Sequence, residues 1–127
     1  MGVAILGSTG SIGRSTLEVI TRHSERFRVV ALTANRSVEE LSEQVRRFGP
    51  DVAVLADAGA LDRAKGLPES RWGAGREAVL EVCERDDVYV VVSRVSVADI
   101  NAFFFNDMAT TEIYTVGGFV EARLRHI

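Results

Sequence analysis

Val3-Ala4-Ile5-Leu6-Gly7-Ser8-Thr9-Gly10-Ser11-Ile12-Gly13 decides how the rest of the chain is read. Four small or branched apolar residues make a short buried strand, and three glycines follow at three-residue spacing. From Ser11 the apolar residues Ile12, Leu17, Val19 and Ile20 recur at roughly helical spacing, so a helix opens directly after the loop. A turn this tight needs glycine wherever φ is positive or a neighbouring group comes close to the backbone. The start of a helix presents unpaired N–H groups and the positive end of its dipole, which suits a pyrophosphate. On this pattern Gly7 permits the turn, Gly10 lets the backbone approach the phosphate, and Gly13 lets the helix pack on the strand. The hydroxyls of Ser8, Thr9 and Ser11 are further candidate donors. The spacing G-x-x-G-x-x-G is one residue longer than the commonest dinucleotide fingerprint and recurs by chance in loops. Its weight comes from the strand before it and the helix after it.

The 127 residues are one domain by length, and 46% of them are hydrophobic, enough for a single core. A net charge of −3, with no stripe of Lys and Arg on one face, argues against nucleic acid as a partner. No apolar stretch approaches the ~20 residues that span a bilayer, and no basic region precedes the first strand. A membrane and a signal peptide are therefore not expected, and the expected compartment is the cytoplasm. Cys83 is the single cysteine, which excludes an internal disulfide. Beside Val79, Leu80 and Val82 on a helical pattern, it reads as a small core residue.

Phe27-Arg28-Val29-Val30-Ala31-Leu32-Thr33 is a second β-branched run, one helix length after the first strand. The two form a βαβ unit, whose right-handed crossover makes the strands parallel and brings the glycine loop beside the end of the second strand. A dinucleotide site that selects NAD carries an Asp or Glu there to hold the ribose 2′-hydroxyl. Here stands Asn35-Arg36-Ser37. A guanidinium offers a two-pronged, charge-assisted contact to phosphate oxygens, so the turn suits the 2′-phosphate of NADP. Ser37-Val38-Glu39-Glu40 also has the form of a capping box for the next helix, and on that reading Arg36 is a solvated loop charge.

The following helix runs to Phe48, buries Leu41, Val45 and Phe48, and stops at Gly49-Pro50. Asp51-Val52-Ala53-Val54-Leu55 is a third strand, and residues 57–65 carry a short helical pattern. Residues 66–75 are rich in turn formers and read as an irregular connection in which Trp72 is a packing residue. Residues 76–85 are helical, burying Ala78, Val79 and Val82, and Val88-Tyr89-Val90-Val91-Val92 is a fourth strand. This rhythm gives an α/β fold: a three-layer, Rossmann-like, doubly wound parallel sheet, truncated after the fourth strand.

Several of these stretches together resemble the amino-terminal, NADPH-binding domain of the 1-deoxy-D-xylulose 5-phosphate reductoisomerase family. They are residues 5–13 with Ser15-Thr16-Leu17, residues 27–32, the Asn35-Arg36-Ser37 turn, Gly75-Arg76-Glu77-Ala78, and Asp86-Asp87-Val88. The resemblance covers about residues 1–93. It implies that Gly7, Ser8, Thr9, Gly10, Ser11, Ile12 and Gly13 hold the NADPH pyrophosphate and that Asn35, Arg36 and Ser37 hold its 2′-phosphate. It implies an NADPH-dependent oxidoreductase of isoprenoid-precursor synthesis that converts 1-deoxy-D-xylulose 5-phosphate to 2-C-methyl-D-erythritol 4-phosphate. The implied chemistry is a skeletal rearrangement at a divalent metal, Mg or Mn, followed by hydride delivery, in a full-length homodimer. The segments that supply the metal ligands, the catalytic residues and the substrate-phosphate contacts lie beyond the cofactor domain, so no catalytic or metal residue is assigned here and the chain alone is expected to be inactive. Ser93-Arg94-Val95-Ser96-Val97-Ala98-Asp99 stands in place of the small-residue, glycine-rich turn that the family carries near the nicotinamide.

Residues 94–127 read as a divergent tail outside the native family sequence. Residues 103–115 resemble the translation of a thymine run joined to a sequencing-library adapter. The other reading is a genuine carboxyl-terminal helix and strand, with Ile113, Tyr114 and Val116 packing on a sheet. On both readings Asp99, Asp107 and Glu112 are isolated carboxylates rather than metal ligands. Two other functions stay open at this point: a stand-alone nucleotide-binding regulatory module, and an NADP-dependent dehydrogenase of another substrate class.

Overall fold

The computed structural model describes residues 1–93, 111–116 and 120–125. Strand β1 (Gly2–Leu6) pairs in parallel with β2 (Arg28–Ala34) on one side and with β5 (Val90–Ser93) on the other. A strand flanked by parallel neighbours and covered on both faces has no solvent side, so its sequence is continuously apolar instead of alternating. That is why Val3, Ala4 and Ile5 are all buried.

Helix α1 (Ser11–Arg22) crosses to β2, α2 (Val38–Phe48) to β3 (Val52–Leu55), α3 (Ala58–Asp62) to β4 (Arg71–Ala74), and α4 (Arg76–Glu84) to β5. The parallel order β4-β3-β2-β1-β5 steps outward from β1 and then returns to its other side, which is the doubly wound arrangement. Each face has its own core. One gathers Ile5 with Leu17 and Ile20 of α1, Leu41 and Val45 of α2, and Ala60 of α3. The other gathers Ala4 and Val30 with Val82 and Cys83 of α4, so the thiol is the core residue that its neighbours suggest. A register shift between Val3 and Ala4 leaves Val30 opposite neither, and this bulge turns Val30 and Ala31 to the same core.

Some expectations are corrected. Residues 71–74 of the supposed irregular connection are strand β4, paired in parallel with β3 alone. As an end strand it is only half-buried, and Arg71, Gly73 and the preceding Gly66-Leu67-Pro68 mask its β signal. Trp72 is a packing residue, its ring against the first core and its Nε1 donating to the Pro68 carbonyl at 2.9 Å. The strand read as fourth is therefore the fifth. Val19 is 50% exposed, on the side of α1 away from Leu17 and Ile20. Ser37 sits at the N-cap of α2, but its hydroxyl makes no capping bond and Glu40 pairs with Arg14 instead. The stop at Gly49 is as expected: its φ is +58°, and its N–H donates to the Val45 carbonyl at 2.9 Å.

The sheet does not end with β5. Strand β7 (Val120–Arg125) pairs antiparallel with β5, and β6 (Thr111–Val116) antiparallel with β7, giving seven strands among the described residues. Strand β6 holds Ile113, Tyr114 and Val116, the strand of the second reading of the tail. Residues 94–110, with the Phe103-Phe104-Phe105 run, Asp99 and Asp107, lie outside the described residues. Among the described residues no helix is long and apolar enough to cross a membrane.

At the amino-terminal ends of the strands, Arg28 makes a forked contact to Asp51 (3.2 and 3.1 Å) and Arg85 one to Asp87 (2.8 Å twice). Cross-pairs of Arg85 with Asp51 at 3.5 Å and Arg28 with Asp87 at 3.7 Å join them into one cluster. Hydrogen bonds from Arg28 hold the Asp51 carboxyl below the usual carboxylate range, and those from Arg85 do the same for Asp87, against the opposing effect of burial. Groups with a depressed folded pKa add stability that is full above the unfolded value near 4 and is lost as pH falls through the folded one. Solvent screens exposed pairs, so Asp51→Asn is expected to destabilise by less than ~1 kcal/mol at pH 7. The difference from the parent should shrink as pH falls below ~4 and close once both carboxylates protonate, below their depressed folded values. Thermal melts from pH 7 to pH 2 check this, and a gap of constant size across that range refutes it.

Candidate functional site

The glycine loop leaves β1 at its carboxyl end and is bound to the neighbouring strand before the helix begins. Gly7 has φ +75°, a conformation that only glycine adopts without strain. Its N–H donates to the Thr33 carbonyl at 2.9 Å and also reaches Thr33 Oγ1 at 3.2 Å, while the Ser8 N–H donates to the same carbonyl at 2.8 Å. The Gly10 N–H turns back to the Gly7 carbonyl at 3.1 Å, and Arg14 N–H to the Gly10 carbonyl at 2.9 Å is the first bond of α1. The N–H groups of Ser11, Ile12 and Gly13 are therefore left without an intrahelical acceptor. No side chain caps this terminus and its first turn carries no acidic residue. The result is a bare, positive helix end aimed across the loop, suited to an anion.

The three glycines have different physical reasons. Gly10, at φ −75° and ψ 169°, has a backbone that any residue adopts, and a Cβ built on it meets only the Gly7 carbonyl oxygen, at 3.4 Å. A Cβ on Gly13 would stand 2.5 Å from both the Gly7 carbonyl oxygen and Ser8 Cα. Gly13 thus lets the helix close on the loop itself, and so on the strand end that carries it. A small crevice lies here, lined by Ile5, Leu6, Gly7, Gly10, Ile12, Gly13 and Val92. It is the point where strand order reverses between β1 and β5, the position at which open α/β sheets take ligands.

One expectation about donors is corrected. Ser8 is 0% exposed and its hydroxyl does not face the helix terminus: it donates to Gln44 Oε1 at 2.6 Å, with the Thr33 carbonyl at 3.3 Å as a second acceptor. The hydroxyl finds these partners on the closed side of the loop, and a buried hydroxyl without one is costly. Ser8 thus holds the loop in shape. Ser11 is exposed and Thr9 half-buried, on the open side. Gln44 was not singled out from the sequence, since one glutamine on an amphipathic helix has no local signature.

The second stretch follows β2, next to the loop at the same end of the sheet. Asn35, Arg36 and Ser37 are all exposed. Ser37, at φ −78° and ψ 71°, is the centre of an inverse γ-turn in which the Val38 N–H donates to the Arg36 carbonyl at 2.9 Å. The Arg36 guanidinium makes no hydrogen bond or ion pair among the described residues. Asp57, whose N–H donates to the Asn35 carbonyl, directs its own carboxylate to the Gly59 N–H at 3.0 Å. The loop and the turn thus lie on adjacent strand ends. The start of the stretch expected near the nicotinamide, from Arg94 onward, is outside the described residues. Among the described residues no group of three or more His, Cys, Asp or Glu is placed to hold a metal ion.

Comparison with known proteins places these features in a family. The family model of 1-deoxy-D-xylulose 5-phosphate reductoisomerase matches residues 3–104, which carries the likeness beyond Ser93. A 1-deoxy-D-xylulose 5-phosphate reductoisomerase of Nitrosospira multiformis is 47% identical over 100 residues, covering 73% of this chain and 25% of its own length. The structure of the enzyme from Zymomonas mobilis in complex with NADPH is similar with a TM-score of 0.55 and 39% identity, over 63% of this chain and 22% of that one. A DOX-P reductoisomerase in complex with NADPH, fosmidomycin and magnesium gives a TM-score of 0.63 at 32% identity, over 72% of this chain and 23% of that one. The chain therefore spans about a quarter of the length of the relatives it matches. With a family model covering most of its length and a relative 47% identical over 100 residues, this chain belongs to the 1-deoxy-D-xylulose 5-phosphate reductoisomerase family.

Proposed function

We propose that this chain is the NADPH-binding part of an enzyme that converts 1-deoxy-D-xylulose 5-phosphate to 2-C-methyl-D-erythritol 4-phosphate in isoprenoid-precursor synthesis. The observation that carries the reading is one juxtaposition: the uncapped start of α1 and the exposed Arg36, whose guanidinium has no partner among the described residues, stand on adjacent strand ends. In this reading the N–H groups of Ser11, Ile12 and Gly13 bind the pyrophosphate, with Gly7 and Gly10 keeping the approach clear. Thr9 and Ser11 add hydroxyls, and Ser8 acts from beneath. Asn35, Arg36 and Ser37 take the 2′-phosphate, and Ile12 lines the crevice toward β5. NADPH supplies the hydride. The NADPH-bound relatives support this choice of cofactor. Substrate, divalent metal and the homodimer interface are assigned to the remaining length of the family protein, and its setting to the cytoplasm. The 127-residue chain by itself is expected to show no turnover of the deoxyketose phosphate.

Titration calorimetry tests the cofactor assignment. The chain should bind NADPH more tightly than NADH, and Arg36→Ala should remove that preference. A charge-assisted contact is worth ~1.5–3 kcal/mol, roughly ten- to a hundredfold in affinity. Equal affinity of the unaltered chain for the two nucleotides refutes the role of Arg36.

Two glycine variants separate the phosphate approach from the fold. Gly10→Val leaves the backbone in an allowed region with room beside it, so the chain should keep its circular dichroism and lose NADPH binding. Gly13→Ala forces a Cβ into backbone atoms that cannot yield, which should cost about 1–3 kcal/mol of stability. Paired melting and binding curves distinguish them, and retention of NADPH affinity by Gly10→Val overturns the phosphate-loop assignment.

A further inference from the structure

Gln44 stands 36 residues after Ser8, yet its amide meets that residue twice. Ser8 Oγ donates to Gln44 Oε1 at 2.6 Å, and Gln44 Nε2 donates to the Ser8 carbonyl at 2.8 Å. With the Ser8 N–H on the Thr33 carbonyl, every polar group of this buried residue has a partner. Among the described residues the Ser8 carbonyl accepts from no donor other than Gln44 Nε2. A carboxamide of this reach supplies an acceptor and a donor together without a charge. A glutamate supplies the acceptor but sets a carboxylate against the Ser8 carbonyl, and a methionine supplies neither.

The helix that carries Gln44 makes the contact consequential. Helix α2 starts directly after Ser37 of the Arg36 turn, and Gln44 follows Ser37 by seven residues, about two turns or ~10 Å along the axis. One rigid element therefore holds the turn assigned to the 2′-phosphate at its start and grips the loop assigned to the pyrophosphate two turns later. Gly13 closes on Ser8 from the other side, so the position of Ser8 sets how the N–H groups of α1 are presented.

We propose that Gln44 is a positioning residue of the nucleotide site: it acts through Ser8 to hold the glycine loop in its anion-binding shape and at a fixed distance from Arg36. The proposal rests on the nucleotide reading above. The test uses the whole 127-residue chain and its variants Gln44→Met and Gln44→Glu, the latter keeping side-chain size and one hydrogen bond should the former fail to fold. Dissociation constants for NADPH and NADH are measured well below the melting temperature, together with amide hydrogen exchange. Loss of a buried partner at this position should weaken both nucleotides about tenfold and leave their ratio unchanged, unlike Arg36→Ala, which alters the ratio. The Gly7 and Ser8 amides should exchange faster while those of β3 keep their protection. A lower melting temperature with unchanged dissociation constants overturns the proposal, because Gln44 is then only structural. If the unaltered chain binds neither nucleotide, the nucleotide reading fails on its own. In that case exchange decides the clamp: faster exchange confined to Gly7 and Ser8 upholds it, and unchanged exchange there overturns it.

Discussion

The Thr33 carbonyl oxygen accepts the N–H groups of both Gly7 and Ser8, at 2.9 and 2.8 Å, and this shared acceptor ties the loop after β1 to the end of β2. The bond continues the ladder of the parallel pair by one step, just where the chain must leave the sheet. It lets Gly7 turn with positive φ while its N–H stays satisfied, as a group so close to the core requires. Once those two residues are held, Gly10 and then α1 follow in a position set by the sheet, and the open end of the helix faces outward. The site thus inherits its geometry from a buried central strand of the sheet.

What could be read from the sequence was whatever is encoded over a few neighbouring residues. The apolar run of β1, the glycines and the periodic residues of α1 are consecutive, and each has a local physical meaning. The βαβ order follows from them because a parallel crossover has one favoured hand. Arg36 drew notice through what it replaces, since a carboxylate is expected at that point of an NAD site, and what the structure adds is its exposure at the end of β2. Strand β4 was hidden because its residues, Arg71-Trp72-Gly73-Ala74, have little β preference and gain their conformation from β3 beside them. Glu40 and Ser37 matched a local capping motif, yet the ion pair with Arg14 competes for the glutamate, a contact that local reading does not contain.

The inward turn of Ser8 belongs to the same class. A serine between two loop residues looks like a ligand donor, and only the arrival of α2 against the loop decides that its hydroxyl faces Gln44. The antiparallel addition of β7 and β6 likewise depends on which edge of the sheet stays open after β5, a property of the assembled fold.

The ion cluster of Arg28, Asp51, Arg85 and Asp87 sits at the amino-terminal ends of the strands, and the glycine loop at the carboxyl ends. The five residues of β1 separate the two by roughly 16 Å, well beyond the 7–10 Å over which substitutions usually influence one another. Changes at one end are thereby energetically independent of changes at the other. A substitution among these charges therefore leaves the glycine-loop end of the sheet in place, and one in the glycine loop leaves the charge cluster as it was.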